Sequence, residues 1–242
     1  MHQYDAYEKK WNFYGTVADE LLRHLLIGST SSVLELACGS GACTIRLARA
    51  APLGSVVALD LSAGMVEMAR SNAAAAGVSN VEFVQGDVRE LTSLTRGRKF
   101  DFAACNSAFW HFPEPERVLG ALLPLLTEGG VFGLSISHRA IASANRDLGA
   151  AGPPLAEPVS TLAELFSRCG FETSESSFEF VVSKESRREW REIPVFSNSL
   201  QGRRHRSRLE LRGRRRGDLL HDPARSRWTI MVARPKGGWT PT

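Results

Sequence analysis

No stretch of the 242 residues is long and apolar enough to cross a bilayer, so an integral membrane helix is not expected. The amino-terminal stretch carries Tyr4, Asp5, Glu8 and Lys9 where a secretory signal would need an apolar core. Cysteine is sparse. Cys38, Cys43, Cys105 and Cys169 show neither metal-ligand spacing nor a disulfide framework. They read as reduced thiols, and the expected location is cytoplasmic. No internal repeat is visible. Net charge is small, +4, although the pI is about 9.1. What remains is ordinary globular composition: 43% hydrophobic residues on a chain long enough for one α/β domain with a cover.

The most informative stretch is Val33-Leu34-Glu35-Leu36-Ala37-Cys38-Gly39-Ser40-Gly41. It reads as a buried strand that breaks into a glycine-containing turn and then a helix. In an α/β sheet such a turn lies at the carboxyl end of the strand, where ligands bind. Gly39 and Gly41 lack a Cβ, which lets the backbone turn tightly against a bulky ligand. Glu35 is a carboxylate in an apolar strand, and burying it needs a partner; a cationic or hydrogen-bond-donating ligand is the simplest. By itself the turn also fits a dinucleotide fold. Against that, Thr44 stands where the third glycine of a dinucleotide fingerprint belongs.

Three further apolar runs end in acids or amides. Ser55–Asp60 puts Asp60 at a strand tip, where it can accept from both hydroxyls of a ribose. Val81–Val88 ends in Gly86-Asp87-Val88; Asp87 can accept from an exocyclic adenine amine while Val88 packs on the ring. Lys99–Asn106 is the fourth. Each acid alone is an ordinary turn or cap residue, but three successive strand ends carrying one are harder to explain as turns.

Between these runs lie helical patterns. Val17, Leu21, Leu22 and Leu25 recur at helical spacing over 16–26. Ser62 is an N-cap for an Ala-rich helix that Gly77 closes. A helix is expected over 116–126, with Pro124 kinking or stopping it. Gly129-Gly130 turn into a strand at Val131–Ser137. Thr161 and Glu164 form a capping box for a helix ending at Gly170. Phe178–Val182 and Trp228–Ala233 read as the last strands. The alternation predicts an α/β fold with parallel, right-handed connections.

With these residues in place, the chain resembles the class I S-adenosylmethionine-dependent methyltransferases over roughly residues 15–137. Val33–Gly41 matches the family's first motif, with Ala37 where the first glycine usually stands. That substitution is expected to be harmless if the backbone there keeps a negative φ. Val57–Asp60, Gln85–Val88 and Phe100–Asn106 match the next motifs. Asn106-Ser107-Ala108-Phe109-Trp110-His111-Phe112-Pro113 is similar to the small-molecule branch typified by quinone-biosynthesis enzymes. The resemblance implies a Rossmann-like, doubly wound, mostly parallel seven-stranded sheet with helices on both faces and an antiparallel final strand. It implies S-adenosyl-L-methionine as cofactor, S-adenosyl-L-homocysteine as product, and no metal. Implied cofactor contacts are Tyr14, Glu35, Ala37, Gly39, Gly41, Asp60, Leu61, Met65, Asp87, Val88, Asn106 and Ser107.

Expected organisation is an N-terminal helical lid over 1–30, a core over 31–183 and 228–236, and an Arg-rich insertion over 184–227. The lid is dense in aromatics: Tyr4, Tyr7, Trp11, Phe13 and Tyr14. A helix is expected to begin the insertion. Its later Arg203–Arg216 run is either a surface for nucleic acid or an anion, or a solvated strip, and the second reading is preferred. His111 follows strand four and His138 strand five, so both are candidate general bases. Phe109, Trp110 and Phe112 are either an apolar wall for the acceptor or core. The expected reaction is methyl transfer to a small, apolar or aromatic acceptor, by a monomer or homodimer. Nucleic-acid and peptide acceptors, a nicotinamide-dependent oxidoreductase and an inactive cofactor-binding scaffold are the alternatives. Amino-directed nucleobase enzymes of this fold usually carry an Asn/Asp-Pro-Pro-aromatic motif after strand four; Asn106-Ser107-Ala108-Phe109 lacks both prolines.

Overall fold

A computed structural model describes residues 2–137, 161–193 and 225–237. Chain order is α1 (His2–Trp11), α2 (Phe13–Leu25), β1 (Ser32–Leu36), α3 (Ala42–Ala50), β2 (Ser55–Asp60), α4 (Ala63–Ala75), β3 (Val81–Gln85) and α5 (Leu91–Leu94). There follow β4 (Phe100–Asn106), α6 (Pro115–Leu122), β5 (Leu126–Ser137), α7 (Leu162–Arg168), β6 (Phe171–Val181), α8 (Lys184–Glu192) and β7 (Arg225–Pro235). One seven-stranded sheet has the order β3-β2-β1-β4-β5-β7-β6. Strands β1 to β5 pair in parallel, and β7 runs antiparallel to β5. The α/β, Rossmann-like architecture expected from the sequence is the one observed.

The central strands are apolar on both faces, as a sheet covered twice requires. Leu34, Leu36, Val57, Leu59, Ala103, Cys105, Phe132 and Leu134 share one core with Leu119 and Leu122 of α6 and Leu165 and Phe166 of α7. Val33, Val56, Ala104 and Val131, at alternating positions, share the other with Ala18, Leu21 and Leu25 of α2 and Leu47 of α3. A Cβ on Gly133 of β5 would lie 2.5 Å from Leu25, so the bare backbone there gives α2 its seat.

The chain divides into two compact units. Residues 13–178 with 228–242 carry the sheet. Among the described residues, 2–12, 179–193 and 225–227 fall in the second, in which α1 meets α8. There Tyr7 Oη lies 2.8 Å from Ser186 Oγ, and Glu189 accepts from Lys10 Nζ at 2.6 Å and Trp11 Nε1 at 2.7 Å. The two units part at Asn12/Phe13, whereas the sequence reading draws its first boundary at residue 30. Helix α2 is a sheet-covering helix, because Val17, Ala18 and Leu21 are fully buried.

Local signals hold at several ends. Ser62 Oγ accepts from Met65 N, Thr161 Oγ1 from Glu164 N, and Gly77 and Gly170 sit at positive φ after their helices. Three boundaries differ. The helix expected over 116–126 ends at Leu122 and tightens into a 3₁₀ turn around Pro124. Strand β5 starts at Leu126, not Val131: Phe100 pairs with Leu126 and Phe102 with Val131, so the Gly129-Gly130 pair is a bulge inside the strand. Strand β6 begins at Phe171, seven residues before the expected start. Its Glu-Thr-Ser-Glu-Ser-Ser stretch looks like a loop because β6 is an edge strand.

Glycine substitutions should separate close packing from idle glycine. A Cβ on Gly54 would lie 2.0 Å from the Ser31 carbonyl oxygen, whereas one on Gly120 in α6 would meet nothing within 4 Å. Gly54→Ala is expected to destabilise by roughly 1–3 kcal/mol. Gly120→Ala is expected to stabilise by about 0.8–1 kcal/mol. Urea denaturation measures both.

Candidate functional site

Strand β1 lies between β2 and β4, so the strand order reverses at the β1/β4 boundary. In open α/β sheets the crevice beyond the carboxyl ends at that reversal is where ligands bind. The Ala37–Gly41 turn and the Asn106–Ser107 turn both emerge there. Residues at the β1 and β4 tips depart from ordinary backbone: Ala37 has φ 58°, Gly39 55°, Gly41 89° and Ser107 62°. The expectation of negative φ at Ala37 is thus corrected. The chain must leave β1 through a left-handed residue, and here an alanine bears the strain that glycine would avoid. Gly41 has a packing reason as well: its Cβ would sit 3.2 Å from Ala69 of α4.

Asp60 holds this turn. Its Oδ2 accepts from Gly39 N at 2.8 Å, and its Oδ1 from Ser62 N at 2.9 Å. One carboxylate at the β2 tip thereby ties the β1 turn to the start of α4. The turn is pinned further by Cys38 N donating to Leu59 O at 2.8 Å and Asn72 Nδ2 to Ser40 O at 2.9 Å.

Glu35 is 1% exposed, and Thr44 Oγ1 donates to its Oε2 at 2.5 Å. The partner that burial demands comes from the chain itself, correcting the expectation that a ligand supplies it. The hydroxyl stands in the first turn of α3, directly behind the glycine turn. Burial raises the Glu35 carboxyl to about 8; bonds from Thr44 and Cys43 oppose this, and the Asp60 charge adds to it.

Asp87 lies just past β3 and is engaged by Arg89, whose Nη2 is 2.6 Å from Oδ2 and whose backbone N is 2.9 Å from Oδ1. The guanidinium holds the Asp87 carboxyl below its ordinary value. Arg89 Nη1 also donates to Glu114 at 3.0 Å. Val88 is buried among the core side chains. On the β4 side, Asn106 Nδ2 donates to the Tyr14 carbonyl at 3.0 Å, and Asn106 Oδ1 accepts from Ser135 Oγ at 2.7 Å. Ser107 N donates to Ser135 Oγ at 2.9 Å. Tyr14 is buried, Leu61 is 69% exposed beside Asp60, and Met65 is half-buried on α4.

His111 is exposed at the end of a 3₁₀ turn following β4. His138 and the Arg203–Arg216 run lie outside the described residues. Phe109, left open between wall and core, is core: it is 4% exposed, its ring 5.4 Å from Phe166 and 5.5 Å from Phe112. Burial pushes the thiols of Cys38, Cys43 and Cys105 up, so they serve as apolar filler rather than nucleophiles. Among the described residues no group of His, Cys, Asp and Glu is arranged to hold a metal ion.

Glu35, Asp60 and Asp87 therefore occupy one rim, at the carboxyl ends of neighbouring parallel strands. Over residues 27–184 the chain matches the family described as a methyltransferase domain. It belongs to that family. Similar proteins include a trans-aconitate 2-methyltransferase of Deinococcus radiodurans, 34% identical over 48% of this chain and 44% of that protein. Another is a demethylmenaquinone methyltransferase of Lactococcus lactis subsp. lactis, 32% identical over 44% of this chain and 42% of that protein. The matched stretches span less than half the length of these relatives. Among solved structures, the YcgJ protein of Bacillus subtilis aligns with a TM-score of 0.65 at 17% identity, covering 92% of this chain and 99% of that one. That likeness supports the fold.

For this methyltransferase domain the sequence missed Thr44, Arg89, Glu114 and Ser135 as parts of the rim. Thr44 was findable, since a carboxylate inside a strand calls for a donor in the helix that follows. Arg89 stands two residues past Asp87, a local spacing, whereas Glu114 and Ser135 join only through tertiary contacts.

Two outcomes follow from the β1 turn. Ala37→Gly should raise stability by about 0.5–1 kcal/mol, from relief of left-handed strain offset by glycine's backbone entropy; an unchanged or lower thermal midpoint would contradict the strained turn. Glu35 keeps its proton in the folded chain up to about pH 8, while the unfolded chain releases it near the ordinary carboxylate value. The folded state then binds more protons, and stability falls as pH rises between those values, by up to about 1.4 kcal/mol per unit. Glu35→Gln should flatten that slope in denaturation series from pH 5 to 8.

Proposed function

We propose that the chain transfers the methyl group of S-adenosyl-L-methionine to a small-molecule acceptor with an apolar or aromatic body. The observation that carries this reading is the Asp60 bridge, which ties the turn after β1 to the β2 tip beside the strand-order reversal. A carboxylate oxygen has two lone pairs. Each Asp60 oxygen uses one on a backbone N–H, of Gly39 or of Ser62. The other remains for a hydroxyl, which suits the vicinal pair of a ribose, so the residues present fit an adenosyl group. Likeness to a demethylmenaquinone methyltransferase supports a flat, apolar acceptor.

When bound, the cofactor supplies a methyl group already activated by its sulfonium. The chain's task is then alignment. Gly39 and Gly41 leave the backbone of the turn bare for close approach. Asn106 fixes the start of α2 through the Tyr14 carbonyl, placing Tyr14 beside the β4 tip. Holding two reacting groups in line can contribute on the order of 7–11 kcal/mol. His111, exposed past β4, is our candidate to take a proton from a hydroxyl acceptor, which is worth about 10²–10⁴-fold where the acceptor needs it.

Ligand-induced stabilisation and affinity test this reading together. S-adenosyl-L-homocysteine at a hundred times its dissociation constant should stabilise the protein by about 2.7 kcal/mol, a thermal shift of roughly 5–10 °C, and NAD should not. Asp60→Ala should weaken S-adenosyl-L-homocysteine at least tenfold by calorimetry. A response to NAD alone, or unchanged affinity in a folded Asp60→Ala protein, would contradict the proposal.

A further inference from the structure

A row of aromatic rings stands on the β4 and β5 side of the rim. Trp110 lies in the 3₁₀ turn after β4, and its ring centroid is 6.3 Å from that of Trp228, which pairs with Ser137, the last residue of β5. Trp228 in turn meets Phe13, the first residue of α2, at 6.0 Å, and Phe13 meets Tyr14 at 5.1 Å. At the other end, the Trp110 ring lies 5.3 Å from the ring of His111. Three separate parts of the chain thus supply one continuous row. Its members cross at 50° to 77°, edge-on or tilted, the arrangements that ring quadrupoles favour.

Burial divides the row. Trp228 is 3% exposed and forms its base. Phe13 and Trp110, which flank it, are only half-buried. The contrast with Phe109 is direct: that ring is core, while its neighbour Trp110 packs against the core from the rim. The two flanking rings are also held in place. Phe13 is fixed because the carbonyl of Tyr14 accepts from Asn106 Nδ2, and Ser135 Oγ donates to Asn106 Oδ1. Rings ordered before a ligand arrives reduce the entropy lost on binding.

The turn after β1 and Asp60 occupy the β1–β2 side of the rim, so a cofactor held there leaves the β4–β5 side for the acceptor. We propose that Trp110 and Phe13 are specificity-determining residues that hold the acceptor by ring stacking, so that its body is a planar aromatic system and not a saturated one. The inference rests on the methyltransferase reading and sharpens its acceptor. A flat ring lies close against an indole and pairs with its quadrupole. A saturated ring of the same size has no such quadrupole, and its axial hydrogens hold it away from the indole face. Because the row ends at His111, a ring stacked on Trp110 brings its substituents beside the candidate base.

Equilibrium dialysis of the protein saturated with S-adenosyl-L-homocysteine tests this, with 2-naphthol and decahydro-2-naphthol as probes. Both carry one hydroxyl on the same fused skeleton, and apolar burial alone gives the saturated alcohol no disadvantage. The readout is the ratio of the two dissociation constants. The wild type should prefer 2-naphthol at least about threefold. Trp110→Leu should abolish that preference, whereas Trp110→Phe, smaller but aromatic, should keep it. A residue that only filled space would give the two variants the same ratio. Should Trp110→Leu fail to fold, Phe13→Leu should lower the preference instead. A wild type that binds both probes equally, or neither, would overturn the inference while leaving the methyltransferase reading intact, and so would leucine variants that keep the wild-type ratio. A wild type that does not bind S-adenosyl-L-homocysteine in calorimetry would overturn both.

Discussion

The carboxylate of Asp60 decides the geometry of everything at the carboxyl rim. By accepting from Gly39 N on one side and Ser62 N on the other, it welds the turn after β1 to the first turn of α4. Without a fixed acceptor between them, two orphan backbone donors would face each other across a gap between two strands. With it, the Ala37–Gly41 backbone is held with left-handed φ at alternate residues, Ala37, Gly39 and Gly41. The hold on the β1 turn and on the start of α4 both come from one side chain at the end of β2, the side chain proposed to receive the ribose hydroxyls.

Around that bridge the protein carries strain and buried polarity that a purely structural rim would not need. Ala37 and Ser107 sit at positive φ at the tips of β1 and β4, the two strands that flank the reversal of order. Glu35 is buried behind the turn and held by the Thr44 hydroxyl. Ser135, fully buried in β5, anchors Asn106 and Ser107 and through Asn106 reaches the backbone of Tyr14. These costs are met by the cores on both faces of the sheet, where Phe132, Phe166, Leu34 and Leu47 are fully buried. The rim is shaped and stiff because it stands on a sheet that is apolar on both sides.

The elements readable from sequence are those whose pattern is set locally. Ser55–Asp60 was legible because a fully buried parallel strand is a short apolar run with an acid at its tip. Ser62 and Thr161 were legible as caps because capping is a contact over three residues. Strand β6 was not, since an edge strand facing water needs no apolar alternation. The true start of β5 was hidden because Gly129-Gly130 makes a bulge as readily as a turn. In the site, the glycine turn and the three acids were visible as a set. Their partners were less so: Glu35 finds Thr44 nine residues on, Asp87 finds Arg89 two residues on, and Glu114 joins them from another loop. A strand tip announces a carboxylate but not what already holds it.

A crystal structure of the protein with S-adenosyl-L-homocysteine is the most direct measurement of this account. The account predicts the nucleoside across the carboxyl ends of β1, β2 and β3, with both ribose hydroxyls within hydrogen-bond distance of Asp60 and the Gly39 and Ser62 bonds to Asp60 retained. A nucleoside bound away from that rim, or at the rim with Asp60 turned from the ribose, would contradict it.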